Sequence, residues 1–209
     1  MAKLHFFYSV MNAGKTTHLL QAAFNWKANG GNILLFTSAV DDRYGVGKIA
    51  SRIGLEAEAV ALRRDDDLEA IVRSEHCRNP VTSVLVDEVQ FLTEEHIRQM
   101  TRIVDNLGIP VMAYGLKNNF RGELFSPAVG LLLALADKIQ EIKQLCHCGA
   151  KATMILKYDP NGRAIRSGPI VEIGGEGRYV SVCRRHWIKG DVGPAIRGRL
   201  ADQLVALAS

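Results

Sequence analysis

The chain has 209 residues, 47% of them hydrophobic, which suits one globular domain with room for a small appended lobe and needs no disulfides to hold its core. The formal charge is only +4, from 26 basic and 22 acidic residues, and the basic residues are scattered, so the dense basic stripe of a duplex-DNA-gripping protein is missing. No apolar stretch reaches the ~20 residues of a membrane span, and the opening MAKLHFFYSV lacks a signal-peptide core, so a cytoplasmic, reduced setting is expected.

Leu4–Tyr8 reads as a buried strand, Ser9–Gly14 as a turn, and Lys15 to about Asn29 as a helix ended by Gly30 and Gly31. Asn32–Ser38 is a second buried strand. Asp41–Ala61, with Gly45, Gly47 and Gly54, reads as a loop or hairpin, and Asp67–Ser74 as a helix. Val81–Val86 is a third buried strand, closed by Asp87 and Glu88. Thr93 caps a helix reaching about Asn106, with Glu94 and Glu95 in its first turn. Ile109–Tyr114 is a fourth strand and Pro127–Asp137 a short apolar helix.

This alternation predicts an α/β domain over residues 1–138 with a mostly parallel sheet. Continuous apolar strands fit a sheet covered on both faces, and such sheets bind ligands at the carboxyl ends of their strands. Beyond residue 138 the texture changes to short strand-like pieces broken by Asp159–Gly162 and Gly174–Gly177, expected as a small zinc-stabilised β lobe over 139–190. Residues 191–209 form a tail. Its helix, Pro194–Ala208, carries Ile196, Leu200, Leu204 and Leu207 on one side.

Two motifs stand at strand ends. Ser9-Val10-Met11-Asn12-Ala13-Gly14-Lys15-Thr16 matches the phosphate loop G-x-x-x-x-G-K-[ST], with Ser9 in place of the first glycine. Backbone N–H groups at the helix start would surround phosphates, Lys15 would reach the β- and γ-phosphates, and Thr16 Oγ would bind Mg²⁺. At the third strand end, Asp87 is placed to orient Mg²⁺ and Glu88 to accept a proton from an attacking hydroxyl or water. Together they indicate a nucleoside-triphosphate enzyme without separating a kinase from an ATPase.

The four cysteines are Cys77, Cys146, Cys148 and Cys183. Cys146-His147-Cys148 and Cys183-Arg-Arg-His186 offer three thiolates and an imidazole, a complement common for closed structural Zn²⁺ sites; His147 is an alternative ligand to His186. Cys77, alone on a helix, is expected in the core.

The whole set resembles the type II, zinc-containing thymidine kinases, in an enteric-type bacterial branch. The resemblance rests on Met11–Thr17, Asp41–Tyr44, Ser51-Arg52, Asp87–Phe91, the Tyr114-Gly-Leu-Lys-Asn-Asn-Phe-Arg-Gly122 segment and the Cys146/Cys148/Cys183/His186 cluster. It implies a RecA-like P-loop domain with a zinc lobe, assembled as a homotetramer. It implies ATP on Ser9–Thr16 completed by Asp87, Glu88, Val89 and Gln90, with Glu88 as catalytic base, Thr16 and Asp87 at Mg²⁺, and structural Zn²⁺. The substrate would be deoxythymidine, phosphorylated at its 5′-hydroxyl, with dTTP as feedback inhibitor and neither nucleic acid nor membrane as partner. Met11, Phe91, Leu116, Phe120 and Tyr179 would line the nucleoside pocket, beneath a loop from about Tyr158 to Arg178. Without the resemblance, Phe91, Leu116 and Phe120 read as core, and Arg121 as a phosphate contact or a partner of Glu123. The rival reading, a nucleic-acid-dependent ATPase with a zinc ribbon, leaves the Tyr114–Gly122 segment unexplained.

Overall fold

A computed structural model describes residues 1–41, 45–170 and 175–208, with 175–176 and 203–208 as backbone only. Asp42, Arg43 and Tyr44 of the Asp41–Tyr44 motif, and 171–174 of the long loop, lie outside the described residues. The chain divides into two compact units. The first comprises Met1–Tyr8, Gly14–Lys117 and Leu124–Ile142; the second comprises Ser9–Ala13, Asn118–Glu123 and Lys143–Ser209.

The first unit is an α/β sheet protein. Its elements are β1 (Leu4–Ser9), α1 (Lys15–Ala28), β2 (Ile33–Ser38), β3 (Lys48–Ala50), β4 (Glu56–Glu58), β5 (Val60–Leu62), α2 (Leu68–Arg78), β6 (Ser83–Val86), a 3₁₀ turn (Val89–Phe91), α3 (Glu94–Leu107), β7 (Val111–Leu116), α4 (Pro127–Leu135) and β8 (Lys138–Glu141). Six strands form one sheet in the order β5-β2-β6-β7-β1-β8. The β2/β5, β2/β6, β6/β7 and β1/β8 pairs are all parallel, as expected of a RecA-like sheet. β7 stands between the phosphate-loop strand β1 and the acidic strand β6.

The inner strands are largely apolar because successive side chains enter different cores. Phe6, Phe36, Val84, Val86, Val111 and Ala113 pack with Leu68, Val72, Ile97, Met100, Ile103, Val129 and Leu132 of α2, α3 and α4. Phe7, Leu35, Leu85 and Tyr114 face the other way and meet Leu19, Leu20 and Ala23 of α1. The helix α3 begins at Thr93, whose hydroxyl accepts the His96 N–H while the His96 ring reaches back to the Thr93 N–H, and ends at Gly108 with φ 67°.

Two strands were not expected. β5 lies in the stretch read as loop or hairpin; it is three residues long and joins β2 at the sheet edge, while β3 and β4 form the hairpin. β8 lies past residue 138 yet closes the opposite edge against β1, with Lys138, Ile139 and Gln140 exposed. Both are short edge strands: β5 has only three residues, and β8 lacks the apolar run that marks a buried strand. Cys77 is exposed rather than in the core, because α2 buries the Leu68/Val72 side.

The second unit holds an antiparallel sheet of order β10-β9-β11, formed by β9 (Met154–Tyr158), β10 (Ala164–Ile165) and β11 (Tyr179–Val182), followed by α5 (Arg184–Lys189) and α6 (Pro194–Ala208). Ile196 is buried on α6, and Leu200 lies against the β9–β10 turn at Gly162. No helix among the described residues is long and apolar enough to cross a membrane.

Candidate active site

The turn after β1 has two left-handed residues on either side of Ala13, Asn12 at φ 60° and Gly14 at φ 81°, and Gly14 opens α1. Such a turn can aim backbone N–H groups at an anion, and the N-terminus of α1, which has no side-chain cap, can add donors. Lys15 is buried and Thr16 follows it. In the first unit the Thr16 hydroxyl donates to Asp87 Oδ2 at 2.9 Å, bridging 71 residues of sequence. Asp87 Oδ1 accepts the Glu88 backbone N–H at 3.0 Å. Burial pushes the Asp87 carboxyl well above the usual carboxylate range, and the Glu88 charge pushes it further. The Thr16 hydrogen bond, the Glu88 N–H and Lys15 oppose that rise. A hydroxyl beside a buried carboxylate is a hard-oxygen donor pair and fits a Mg²⁺ ion.

Glu88 has φ 52° and ψ 39°, a conformation costly for a side-chain-bearing residue. Gln90 holds it in place. The Gln90 amide N–H donates to Glu88 Oε2, and Gln90 Oε1 accepts the Leu116 N–H at 3.0 Å. Gln90 is 2% exposed, so it links the acidic turn to the end of β7 inside the core. The bracket needs a glycine at 115, where a Cβ would fall 2.7 Å from Gln90 Oε1 and from Val89 Cγ2. Phe91 packs edge-on to Phe125 at 5.4 Å, and Leu116 is buried. On the α1 side of the sheet the Tyr114 hydroxyl lies 3.0 Å from His18 Nδ1, and its ring stacks on Phe7 at 4.7 Å. Burial raises the Tyr114 pKa, as does the Asp87 charge, and burial lowers that of His18.

In the second unit the Met11 carbonyl accepts the Ser181 hydroxyl of β11 at 2.7 Å, and the Asn12 carbonyl accepts the Gln144 amide at 2.6 Å. Phe120 and Tyr179 approach with ring centroids 6.3 Å apart. Lys157 is 2% exposed, with its ammonium 5.0 Å from the Phe120 ring and 5.7 Å from the Tyr179 ring. The Trp187 indole N–H donates to the Phe120 carbonyl at 3.0 Å. Asn119 Oδ1 accepts the N–H groups of Arg121 and Glu123, folding Asn118–Glu123 into a tight loop. The Arg121 guanidinium donates to the Gly168 carbonyl at 2.5 Å, a contact not expected for it, while Glu123 meets the Asn119 amide. Lys157, Trp187, Ser181 and Gln144 were not singled out in the sequence. Lys157 alone left a trace there, as a cation inside the strand-like run Met154–Tyr158.

The metal-ligand candidates converge in the same unit. The ligand atoms of Cys146, Cys148, Cys183 and His186 all lie within 4.8 Å of one another. His186 Nδ1 is 3.2 Å from Cys146 Sγ and 3.4 Å from Cys183 Sγ, and the Cys148 and Cys183 sulfurs are 4.0 Å apart. Cys183 caps α5, and the His186 backbone N–H holds its thiol below the ordinary range. Four soft and borderline donors around one point suit a closed tetrahedral Zn²⁺ site. His147 stays outside this set, stacked on His186 at 4.2 Å.

A parallel α/β sheet with a phosphate loop on its first strand and an acidic pair on β6 defines the class of P-loop nucleotide-binding proteins. A thymidine kinase family model matches residues 2–187, and the chain belongs to the thymidine kinase family. The thymidine kinase of Agrobacterium fabrum is 52% identical over 189 residues, covering 90% of this chain and 97% of that protein. The thymidine kinase of Vibrio cholerae is 52% identical over 187 residues, with the same coverage of both chains. The Rhodopirellula baltica thymidine kinase is 48% identical over all 209 residues and spans 96% of its own length.

Proposed function

We propose that this chain transfers the γ-phosphoryl group of ATP to the 5′-hydroxyl of deoxythymidine, giving dTMP and releasing ADP. The observation that carries the chemistry is the acidic turn, where a strained Glu88 is held by buried Gln90 next to an Asp87 bonded to the phosphate-loop Thr16. Strain kept at one carboxylate by a dedicated hydrogen bond is the mark of a functional residue. The substrate assignment draws on the thymidine kinase relatives, about half identical to this chain.

In this reading the N–H groups of Ser9–Gly14 and of the first turn of α1 cradle the triphosphate, and Lys15 offsets charge on the transferring phosphoryl group. Asp87, Val89 and Gln90 complete the nucleotide side. Thr16 and Asp87 would hold Mg²⁺, which when bound neutralises charge on the β- and γ-phosphate oxygens. Glu88 accepts the proton of the 5′-hydroxyl as its oxygen attacks phosphorus. Met11, Phe91, Leu116, Phe120 and Tyr179 receive the nucleoside, with the Phe120 and Tyr179 rings presenting stacking faces to the base. The long loop from Tyr158 to Arg178 excludes water that would otherwise hydrolyse ATP. Cys146, Cys148, Cys183 and His186 hold a structural Zn²⁺. Cytoplasmic residence, a homotetramer and feedback inhibition by dTTP belong to the same proposal.

The test is a phosphotransfer assay of purified protein with ATP and Mg²⁺ against a panel of deoxynucleosides. Formation of dTMP with strong preference for deoxythymidine is expected. Transfer to purine deoxynucleosides at equal kcat/KM, or ATP hydrolysis stimulated by single-stranded DNA without dTMP, would overturn the reading.

A further inference from the structure

The link between α5 and α6 closes back on the metal-ligand cluster. Asp191 heads this link, and its backbone N–H donates to the His186 carbonyl at 2.9 Å. Its Oδ1 accepts the Gly193 N–H at 3.0 Å and the Arg197 guanidinium at 2.6 Å, which fixes the carboxylate plane. Its Oδ2 faces two imidazoles, with His147 Nε2 at 3.6 Å and His186 Nε2 at 4.0 Å. Gly193 makes the approach possible. It has φ 85°, and a Cβ there would sit 2.6 Å from the His147 ring.

His186 presents Nδ1, not Nε2, to the Cys146 and Cys183 sulfurs. An imidazole that ligates a metal through Nδ1 carries its proton on Nε2, and that N–H requires an acceptor to fix ring orientation and tautomer. Asp191 Oδ2 is the carboxylate oxygen within reach. The 4.0 Å span exceeds a direct hydrogen bond, and one water or a small side-chain rotation closes it. Asp191 lies beyond residue 187, where the family match ends, and just before α6 begins at Pro194.

We propose that Asp191 is the outer-sphere carboxylate of the metal cluster: it accepts the His186 Nε2–H, aims Nδ1 at the metal, and so couples metal occupancy to the order of the α5–α6 link. Asp191 is a positioning residue and touches no substrate. The inference rests on the zinc reading of the four ligands and is independent of which nucleoside is phosphorylated.

The experiment uses the full chain, stripped of metal under reducing conditions, in four forms: wild type, Asp191→Ala, Asp191→Asn and Arg197→Ala. Zn²⁺ is titrated against a chromophoric chelator, Co²⁺ absorption reports the ligand set, and the melting temperature of each metal-free form serves as control. Asp191→Ala should weaken Zn²⁺ binding about 10- to 100-fold and alter the Co²⁺ d–d bands. Asp191→Asn, which keeps a neutral acceptor, should restore part of that affinity. Arg197→Ala removes the ion pair but keeps the acceptor, and should stay within about threefold of wild type. Zn²⁺ should slow amide exchange over 190–197 in wild type and do so less in Asp191→Ala. Zn²⁺ affinity of both Asp191 variants within twofold of wild type would overturn the inference, as would an equal loss in Arg197→Ala, which would reduce Asp191 to a structural tie. A wild-type chain that takes up no Zn²⁺ would remove the four-ligand reading and this inference together, an outcome distinct from failure of Asp191 alone.

Discussion

Glu88 and Asn12 are the non-glycine residues with positive φ among the described residues, and they sit in the two motifs read as nucleotide-binding. A left-handed glutamate costs about 1–2 kcal/mol, so strain at half-buried Glu88 fits a role that a carboxylate fills. Glu88→Gln keeps the backbone shape and an oxygen for Gln90 but removes the base. Its kcat should fall about 10²- to 10⁴-fold with ATP affinity near wild type. A kcat within threefold of wild type, measured by product formation under saturating substrates, would remove Glu88 from that role.

Asp87 gives a pH signature. Its folded-state pKa is raised above the unfolded value, chiefly by burial and next by Glu88, so the folded chain binds the extra proton. The sign is therefore opposite to that of a salt-bridged aspartate. This contribution to stability is fully present below the unfolded pKa and is lost as pH rises through the folded pKa, to about 7. Metal- and nucleotide-free protein should lose melting temperature between about pH 4 and pH 7 more steeply than Asp87→Asn. Thermal melts of both forms across that range check it, and parallel curves would refute the assignment.

At the scale of elements, the end of β7 meets the 3₁₀ turn with no room to spare. The constraint is Gly115, whose φ is ordinary but whose neighbours Gln90 and Val89 would lie 2.7 Å from any Cβ. Gly115→Ala should cost about 1–3 kcal/mol of stability, as overpacking does. It should also lower kcat, because Gln90 is the group displaced and Gln90 holds Glu88. Denaturant melts and initial rates measured together test both parts; a destabilised variant with wild-type kcat would uncouple Gln90 from Glu88 function. Element ends were legible where local chemistry marks them. Thr93 opens α3 through its reciprocal bond with His96, and Gly14 opens α1. The edge strands β5 and β8 were not legible. A three-residue strand and an exposed Lys-Ile-Gln-Glu strand have no periodicity of their own, and only their partners β2 and β1 make them strands.

For the molecule as a whole, the second unit is small and its sheet has three short strands, so metal ligation should supply much of its stability. Chelation under reducing conditions should therefore lower the melting temperature and expose residues 143–190 to protease before the parallel sheet. Limited proteolysis with mass mapping, with and without chelator, is the measurement. First cleavage inside the six-stranded sheet region would contradict this order of unfolding.

The sequence alone determined whatever is local in the chain: the phosphate-loop motif at a strand–helix junction, the acidic strand end, the buried apolar strands and the four candidate metal-ligand side chains. These follow from turn chemistry, periodicity and residue type, which act over a few residues. Tertiary structure decided what distant residues do to one another. It joined Thr16 to Asp87 across 71 positions, Cys146 to His186 across 40 and Met11 to Ser181 across 170. It also made Gln90 a bracket, put Lys157 against two aromatic rings, and left Arg121 on a backbone carbonyl. Such pairings depend on how each unit folds within itself, a property of many residues acting together that no single segment carries.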